Sequence, residues 1–195
     1  MGRIDARLEA RDAVGGDDGY TIEIAAPDVA SLVSGAGGLL FDRGRVGWKV
    51  RVVLGAVENV QPLRILACIE TPCWSLQRLR REPRSSTLAI HGDLLTSNPA
   101  TRDVVMKAIR RAGSEVIVFG ERLPDLGESV TEVSYPLGAA ARAFKRQAQH
   151  AAGAGRGRVG ETEVFRRAGP PDPQFVSDGR STPTEAVIIP ASNRR

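Results

Sequence analysis

The chain has 195 residues, of which 42% are hydrophobic and 5% aromatic, so it can form one ordinary domain with a mostly aliphatic core. Its formal net charge is +4, and residues 136–195 hold ten basic residues against five acidic ones. Two cysteines exclude a disulfide framework, and the lack of an apolar run of about 18 residues excludes a membrane-spanning helix. The charged N-terminus lacks the apolar stretch of a signal peptide, so we expect a cytoplasmic protein with no membrane partner.

The first quarter of the chain predicts a strand, a helix and a second strand. Residues 1–18 are polar and glycine-rich near their end, which indicates a flexible lead into the domain. Alternating β-branched residues predict a strand over Tyr20–Ala25, and Gly47–Leu54 predicts another. Between them, the segment Ala26-Pro27-Asp28 begins a helical stretch that three glycines weaken: Gly35, Gly37 and Gly38.

The middle of the chain contains the clearest helix signals. Residues 60–70 fit a helix or a strand, and Pro62 near their start favours the helix. A basic helix is expected over residues 74–81, and a short buried strand over Thr87–Ile90. Ser97 or Asn98 then caps a helix that begins at Pro99 and ends at Gly113.

The remaining elements complete an α/β pattern. Strands are predicted over Glu115–Phe119 and from Val130 to Tyr135, followed by a last helix from Ala139. Strands and helices alternate at the spacing of crossover units. The sequence therefore predicts a mostly parallel sheet of about five strands covered by helices, with Rossmann-like or flavodoxin-like layering.

The composition changes near residue 150. Residues 151–160 are rich in glycine and alanine, and prolines follow among polar residues. Apolar content there is too low to offset the entropy of ordering. We therefore expect a single domain over residues 19–150 and a disordered, basic, Gly/Pro-rich tail over residues 151–195, whose removal from residue 152 leaves the domain folded.

A glycine pattern in the predicted tail has the form of a dinucleotide-binding motif. It runs from Gly155 to Gly160, but such a motif needs a strand before it and a helix after it. Here a helix precedes it and no helix follows. We therefore predict no bound cofactor.

Two acidic residues, Asp93 and Glu121, come just after predicted strands. Ligands of parallel sheets bind at the carboxyl ends of strands, and carboxylates that meet there hold Mg²⁺. Asp93 and Glu121 are thus candidate metal ligands, with Asp42 or Glu58 as a third, although all could be ordinary loop residues. The same edge includes His91, which beside Asp93 could act as a general base, or could pair with Cys73. A packed histidine and an inert cysteine explain the same residues, so no catalytic residue is assigned.

Clusters of basic residues on predicted helices could follow a phosphate backbone. A solvated charged surface explains them equally, because no DNA-binding motif or stacking platform accompanies them. The candidate nucleic-acid contacts are Arg78, Arg80, Arg81, Arg110, Arg111, Arg142, Lys145 and Arg146.

A short apolar segment near the C-terminus, formed by Val187, Ile188 and Ile189, could dock on a protein partner. Together with the missing catalytic motifs, these features predict a non-catalytic binding or regulatory module. Its partner would be a protein or a nucleic acid, and the tail would assist. The alternative is a Mg²⁺-dependent phosphoryl-transfer enzyme or nuclease that uses the carboxylates at the sheet edge.

Overall fold

A computed structural model of the protein describes residues 20–56, 59–66, 87–110, 115–121, 124, 126, 130–154 and 158–168. Within these residues six strands form one sheet. They are β1 (Thr21–Ala26), β2 (Lys49–Leu54), β3 (Thr87–His91), β4 (Glu115–Phe119), β5 (Val130–Pro136) and β6 (Thr162–Ala168).

The strand order is β2-β1-β3-β4-β6-β5. The first four strands are parallel to one another, and β6 runs antiparallel to both of its neighbours, β4 and β5. The predicted α/β class is confirmed, and all five predicted strands are present. The sheet is mixed because a sixth strand, which the sequence analysis missed, is inserted between β4 and β5.

Helices cover both faces of this sheet. Alternate residues of each strand point to opposite faces, so Ile22 and Ile24 pack in one hydrophobic cluster and Ala25 in the other. The helices are α1 (Val29–Arg45), α2 (Gln61–Ile65), α3 (Gly92–Ser97), α4 (Pro99–Arg110) and α5 (Ala139–Ala151). The first cluster includes residues of α1, α2 and α5, and the second includes residues of α3 and α4.

The predicted boundary at residue 150 is wrong. Strand β6 spans Thr162–Ala168, and its Phe165 is buried in the same hydrophobic cluster as α1. Residues 158–168 therefore belong to the domain and not to a tail. The residues after Ala168 lie outside the described residues, as do residues 1–18 and the predicted helix over 74–81.

Helix α1 is interrupted near its middle. Ala36 has φ −141° and ψ 16°, so the helical backbone stops there and starts again. The restarted half exposes N–H groups that have no partner within the helix. The carboxylate of Glu163 on β6 accepts hydrogen bonds from the backbone N–H groups of Gly38 and Leu39, at 2.7 and 3.0 Å. The glycines that weaken the helix in sequence thus coincide with a real break, which a distant strand caps.

No helix among the described residues is long and apolar enough to cross a membrane. The cytoplasmic location stays a prediction.

Candidate functional site

The carboxyl ends of β1, β3 and β4 lie side by side, since these three strands are parallel neighbours. This edge is where open parallel sheets bind their ligands. Asp28 follows β1, His91 ends β3, and Glu121 follows β4. The fold therefore places one ionisable side chain at each of the three strand ends.

His91 is the most enclosed member of this group, with 7% of its surface exposed. Its ring meets that of Phe119 edge-on, with the ring centroids 5.4 Å apart. On the other side it meets Gly120, whose φ is +109°. A Cβ on residue 120 would lie 2.6 Å from His91 Nε2, which is too close. Position 120 therefore favours glycine for two reasons: the positive φ and the lack of room for a side chain beside the imidazole.

The hydrogen bond of His91 indicates which ring nitrogen carries the proton. Nδ1 accepts the backbone N–H of Asp93 at 3.2 Å, so in the neutral ring the proton is assigned to Nε2. Burial lowers the pKa of His91 from its ordinary value of 6.5, against the opposing effect of the carboxylates of Asp93, Asp28 and Glu121. At pH 7 His91 is therefore a neutral imidazole that presents an Nε2–H donor.

Asp28 is held in place by the helix that it begins. Its Oδ1 accepts the backbone N–H of Ser31 at 2.7 Å, so it is the N-cap of α1. The positive end of the helix favours its negative charge. In the sequence Asp28 was predicted only as part of a helix start and not as a site residue, although its position just after a buried strand is a signal for one.

Asp93 and Glu121 complete the group on its outer side. The Asp93 side chain is 48% exposed, and its Oδ2 lies 3.8 Å from His91 Nδ1. Glu121 is exposed just past β4. Both residues were singled out from the sequence, and both lie at the expected edge within electrostatic range of His91. The surroundings of this neutral imidazole are thus acidic.

The other predicted site residues fall elsewhere. Asp42 lies on α1, away from His91. Its Oδ2 accepts a hydrogen bond from the hydroxyl group of Tyr135, with 3.0 Å between the two oxygens. Burial raises the pKa of Tyr135 far above its ordinary value, so it remains a phenol. Cys73 and Glu58 lie outside the described residues, as do Val187, Ile188 and Ile189.

One predicted nucleic-acid contact is wrong. Lys145 is buried, with 6% of its side chain exposed, and its Nζ lies 2.6 Å from the carboxylate of Glu163. An ammonium group enclosed in this way cannot reach a phosphate backbone.

Three of the other candidate contacts lie among the described residues. Arg146 and Arg110 are exposed, and Arg142 is half-buried. Arg110 Nε donates to the carbonyl of Met106, and Arg142 Nη1 lies 3.3 Å from Glu161 Oε1. The contact of these three residues with nucleic acid stays a prediction. The remaining candidates lie outside the described residues: Arg78, Arg80, Arg81 and Arg111.

The fold is shared with proteins of known structure. No protein-family model matches the chain, and no curated relative does. A deacetylase triple mutant from the teicoplanin biosynthetic pathway matches with a TM-score of 0.52 at 13% identity, over 78% of this chain and 99% of that one. The zinc-inhibited form of teicoplanin deacetylase matches with a TM-score of 0.50 at 12% identity, over 78% of this chain and 100% of that one. An N,N'-diacetylchitobiose deacetylase from Pyrococcus horikoshii is more distant, with a TM-score of 0.46 at 10% identity over 86% and 93%.

At these identities the likeness establishes a common fold. It corrects the functional prediction, because the fold assigned to a non-catalytic binding or regulatory module is one that deacetylases use. That prediction is wrong. The alternative, a Mg²⁺-dependent phosphoryl-transfer enzyme or nuclease, gains no support from this likeness. The error arose because the sequence analysis took missing motifs as evidence against catalysis.

The zinc-inhibited neighbour raises the question of whether this edge suits a metal ion. Among the described residues, no three His, Cys, Asp or Glu side chains lie close enough to share one. Asp28 already caps a helix, and His91 Nδ1 already accepts a backbone N–H. The described residues by themselves do not supply a complete metal centre, and a site with Asp93 and Glu121 among its ligands stays a prediction.

Proposed function

We propose that the protein is a hydrolase that removes a short acyl group, such as acetyl, from an acylated amine at the His91 edge of the sheet. The observation that carries this proposal is a neutral, enclosed imidazole with a directed Nε2–H donor and three carboxylates around it. The fold shared with a deacetylase supports the choice of reaction.

The proposed chemistry uses His91 as a hydrogen-bond donor. Its Nε2–H donates to the carbonyl oxygen of the substrate and stabilises the negative charge that develops when water attacks the carbonyl carbon. The backbone N–H of Asp93 at Nδ1 favours this role, because it keeps the proton on Nε2. Because residue 120 is glycine, no side chain presses on the imidazole, where a Cβ would lie 2.6 Å from Nε2.

Asp28 acts as the general base in this scheme. It takes a proton from the attacking water and then gives it to the nitrogen as the carbon–nitrogen bond breaks, so that one water and one amide yield a carboxylic acid and an amine. Its hydrogen bond to Ser31 fixes one carboxylate oxygen in place. The carboxylic acid then gives its proton to the amine, and the negative charge of Asp93 and Glu121 favours the resulting ammonium ion.

The test is acetate release by the full chain from N-acetylated amino sugars and from an acetyl ester as a reactive probe. The assay is run after chelation, and again with Zn²⁺ or Mg²⁺ added. We expect Asp28→Asn and His91→Gln each to lower kcat by about 100-fold or more. Asparagine caps a helix as well as aspartate does, so Asp28→Asn removes the base and keeps the helix start.

The matched control is Asp103→Asn, an exposed aspartate on α4. It should leave kcat unchanged. Retained turnover in both site variants, or no acetate release under any metal condition, would reject the proposal.

A further inference from the structure

The buried pair of Glu163 and Lys145 lies behind the candidate site, on the same face of the sheet as α1. Only 2% of the Glu163 side chain is exposed. Its carboxylate meets three donors: the N–H groups of Gly38 and Leu39, and the ammonium of Lys145 on α5. One carboxylate therefore ties β6, α1 and α5 together at the break in α1.

The first half of α1 ends against the candidate site. A Cβ on Gly35 would lie 2.6 Å from Phe119 Cδ2 and 3.6 Å from the backbone nitrogen of Gly120. Phe119 and Gly120 both adjoin the ring of His91. Gly35 therefore lies one contact away from the imidazole.

We propose that Glu163 and Lys145 are positioning residues for His91, acting through the break in α1 and the contact of Gly35 with Phe119 and Gly120. Their catalytic importance rests on the proposed function, whereas their effect on the imidazole does not. Neither residue touches the space in which a substrate would lie.

The physical reason lies in the two N–H groups at the break. Without an acceptor they would be buried and unsatisfied, so the helix would restart elsewhere or straighten. The break also depends on small residues, because a Cβ on Gly38 would collide with Leu137 and approach Glu163 Oε1 to 3.1 Å. Burial raises the pKa of Glu163, while Lys145 and the two N–H groups act in the opposite direction and favour the carboxylate.

The experiment compares Glu163→Gln with Glu161→Gln by NMR of the histidine rings in the substrate-free full chain, at one pH. Glu161 is a matched control because its side chain is 87% exposed and lies only two residues away. The chain has two histidines, and His150→Gln assigns their signals. We expect Glu163→Gln to move the His91 ring signals and weaken their cross-peaks to Phe119, and Glu161→Gln to leave both unchanged.

Turnover gives the second measurement. In Glu163→Gln we expect kcat to fall by about 10-fold or more with KM nearly constant, because a displaced donor affects the transition state more than binding. A folded Glu163→Gln protein with unchanged His91 signals would overturn the inference. If the signals move but no protein releases acetate, positioning stands and the proposed function fails.

A second variant keeps the test decisive if Glu163→Gln does not fold. Gly35→Ala adds one methyl group at the contact with Phe119, and Gly138→Ala adds one where no atom lies within 4 Å. We expect the His91 signals to move in Gly35→Ala alone. Unchanged signals in Gly35→Ala would overturn the inference, because the contact that carries it would then have no effect.

Discussion

Two regions of this protein, the core around Glu163 and the sheet edge around His91, differ in how completely the fold satisfies their polar groups. The carboxylate of Glu163 accepts three hydrogen bonds in the core, at distances of 2.6 to 3.0 Å. At the sheet edge, by contrast, Asp93 is half exposed, and the hydrogen bond from the Asp93 N–H to His91 Nδ1 leaves the Nε2–H of the neutral ring as a donor. A charge with every partner supplied holds elements together, whereas a polar group with remaining capacity is available to a ligand.

Removing β6 should have the largest effect on stability, because it removes Glu163 together with the strand that joins β4 to β5. A chain that ends at residue 151 loses Glu163 and Phe165 and separates β4 from β5. Domains have only about 5–15 kcal/mol of stability, so we expect no cooperative thermal unfolding by circular dichroism. A chain that ends at Ala168 keeps every described strand and is the control. Equal melting of the two chains would contradict the sheet order.

Breaking the buried pair should have the next largest effect. Lys145→Met leaves the Glu163 carboxylate buried without its cation, which costs about 3–5 kcal/mol in comparable pairs. Adding Glu163→Gln removes the stranded charge, so we expect the double variant to be less destabilised than the sum of the single ones. Urea denaturation measures all three free energies of unfolding. Simple additivity would show that the pair is not coupled.

Acidification should weaken the protein through His91. Its pKa in the folded protein lies below its ordinary value of 6.5, so the unfolded chain takes up the proton first. This contribution to stability is present above pH 6.5 and is lost as the pH falls through the folded pKa, at up to about 1.4 kcal/mol per pH unit. Denaturation at several pH values should show this loss in the wild type and less of it in His91→Gln. The exposed His150, changed to Gln, is the control, and an equal change in both variants would refute the assignment.

The smallest effect is expected at the surface. Arg142 lies 3.3 Å from Glu161, and Glu161 is largely exposed, so the pair should contribute about 0–1 kcal/mol. Arg142→Met therefore serves as a control for Lys145→Met on the same helix, three residues away. A cost for Arg142→Met similar to that for Lys145→Met would remove the distinction between the two pairs.

The parallel part of the fold could be predicted from the sequence because its strands either alternate, as β1 does, or form short buried apolar runs, as β3 and β4 do. Val116, Ile117 and Val118, for example, form a continuous run that only a covered strand explains. Asp93 and Glu121 were found by the same reasoning, since each follows such a run. The local sequence pattern was sufficient to predict those residues whose burial does not depend on a particular distant partner.

Strand β6 could not be found in this way. Its segment, Thr162–Ala168, has two arginines, one glutamate and only two large apolar residues, Val164 and Phe165, with a glycine-rich stretch before it. Glu163 is buried only because Gly38, Leu39 and Lys145 lie around it, and these partners are 125, 124 and 18 residues away. Because Glu163 was predicted to lie in a tail, the sequence offered no buried partner for Lys145, and Lys145 was expected on the surface. One missed long-range contact thus produced two errors.

The late position of β6 has a consequence for how the protein is made. Strand β5 ends at Pro136, but the strand that joins it to β4 is complete only at Ala168. During synthesis the open edges of β4 and β5 must therefore wait for the segment that pairs with both, and unpaired edges are where nascent chains associate wrongly. Glu163 lies on the same segment, so its carboxylate can cap the break in α1 only after that segment has been made.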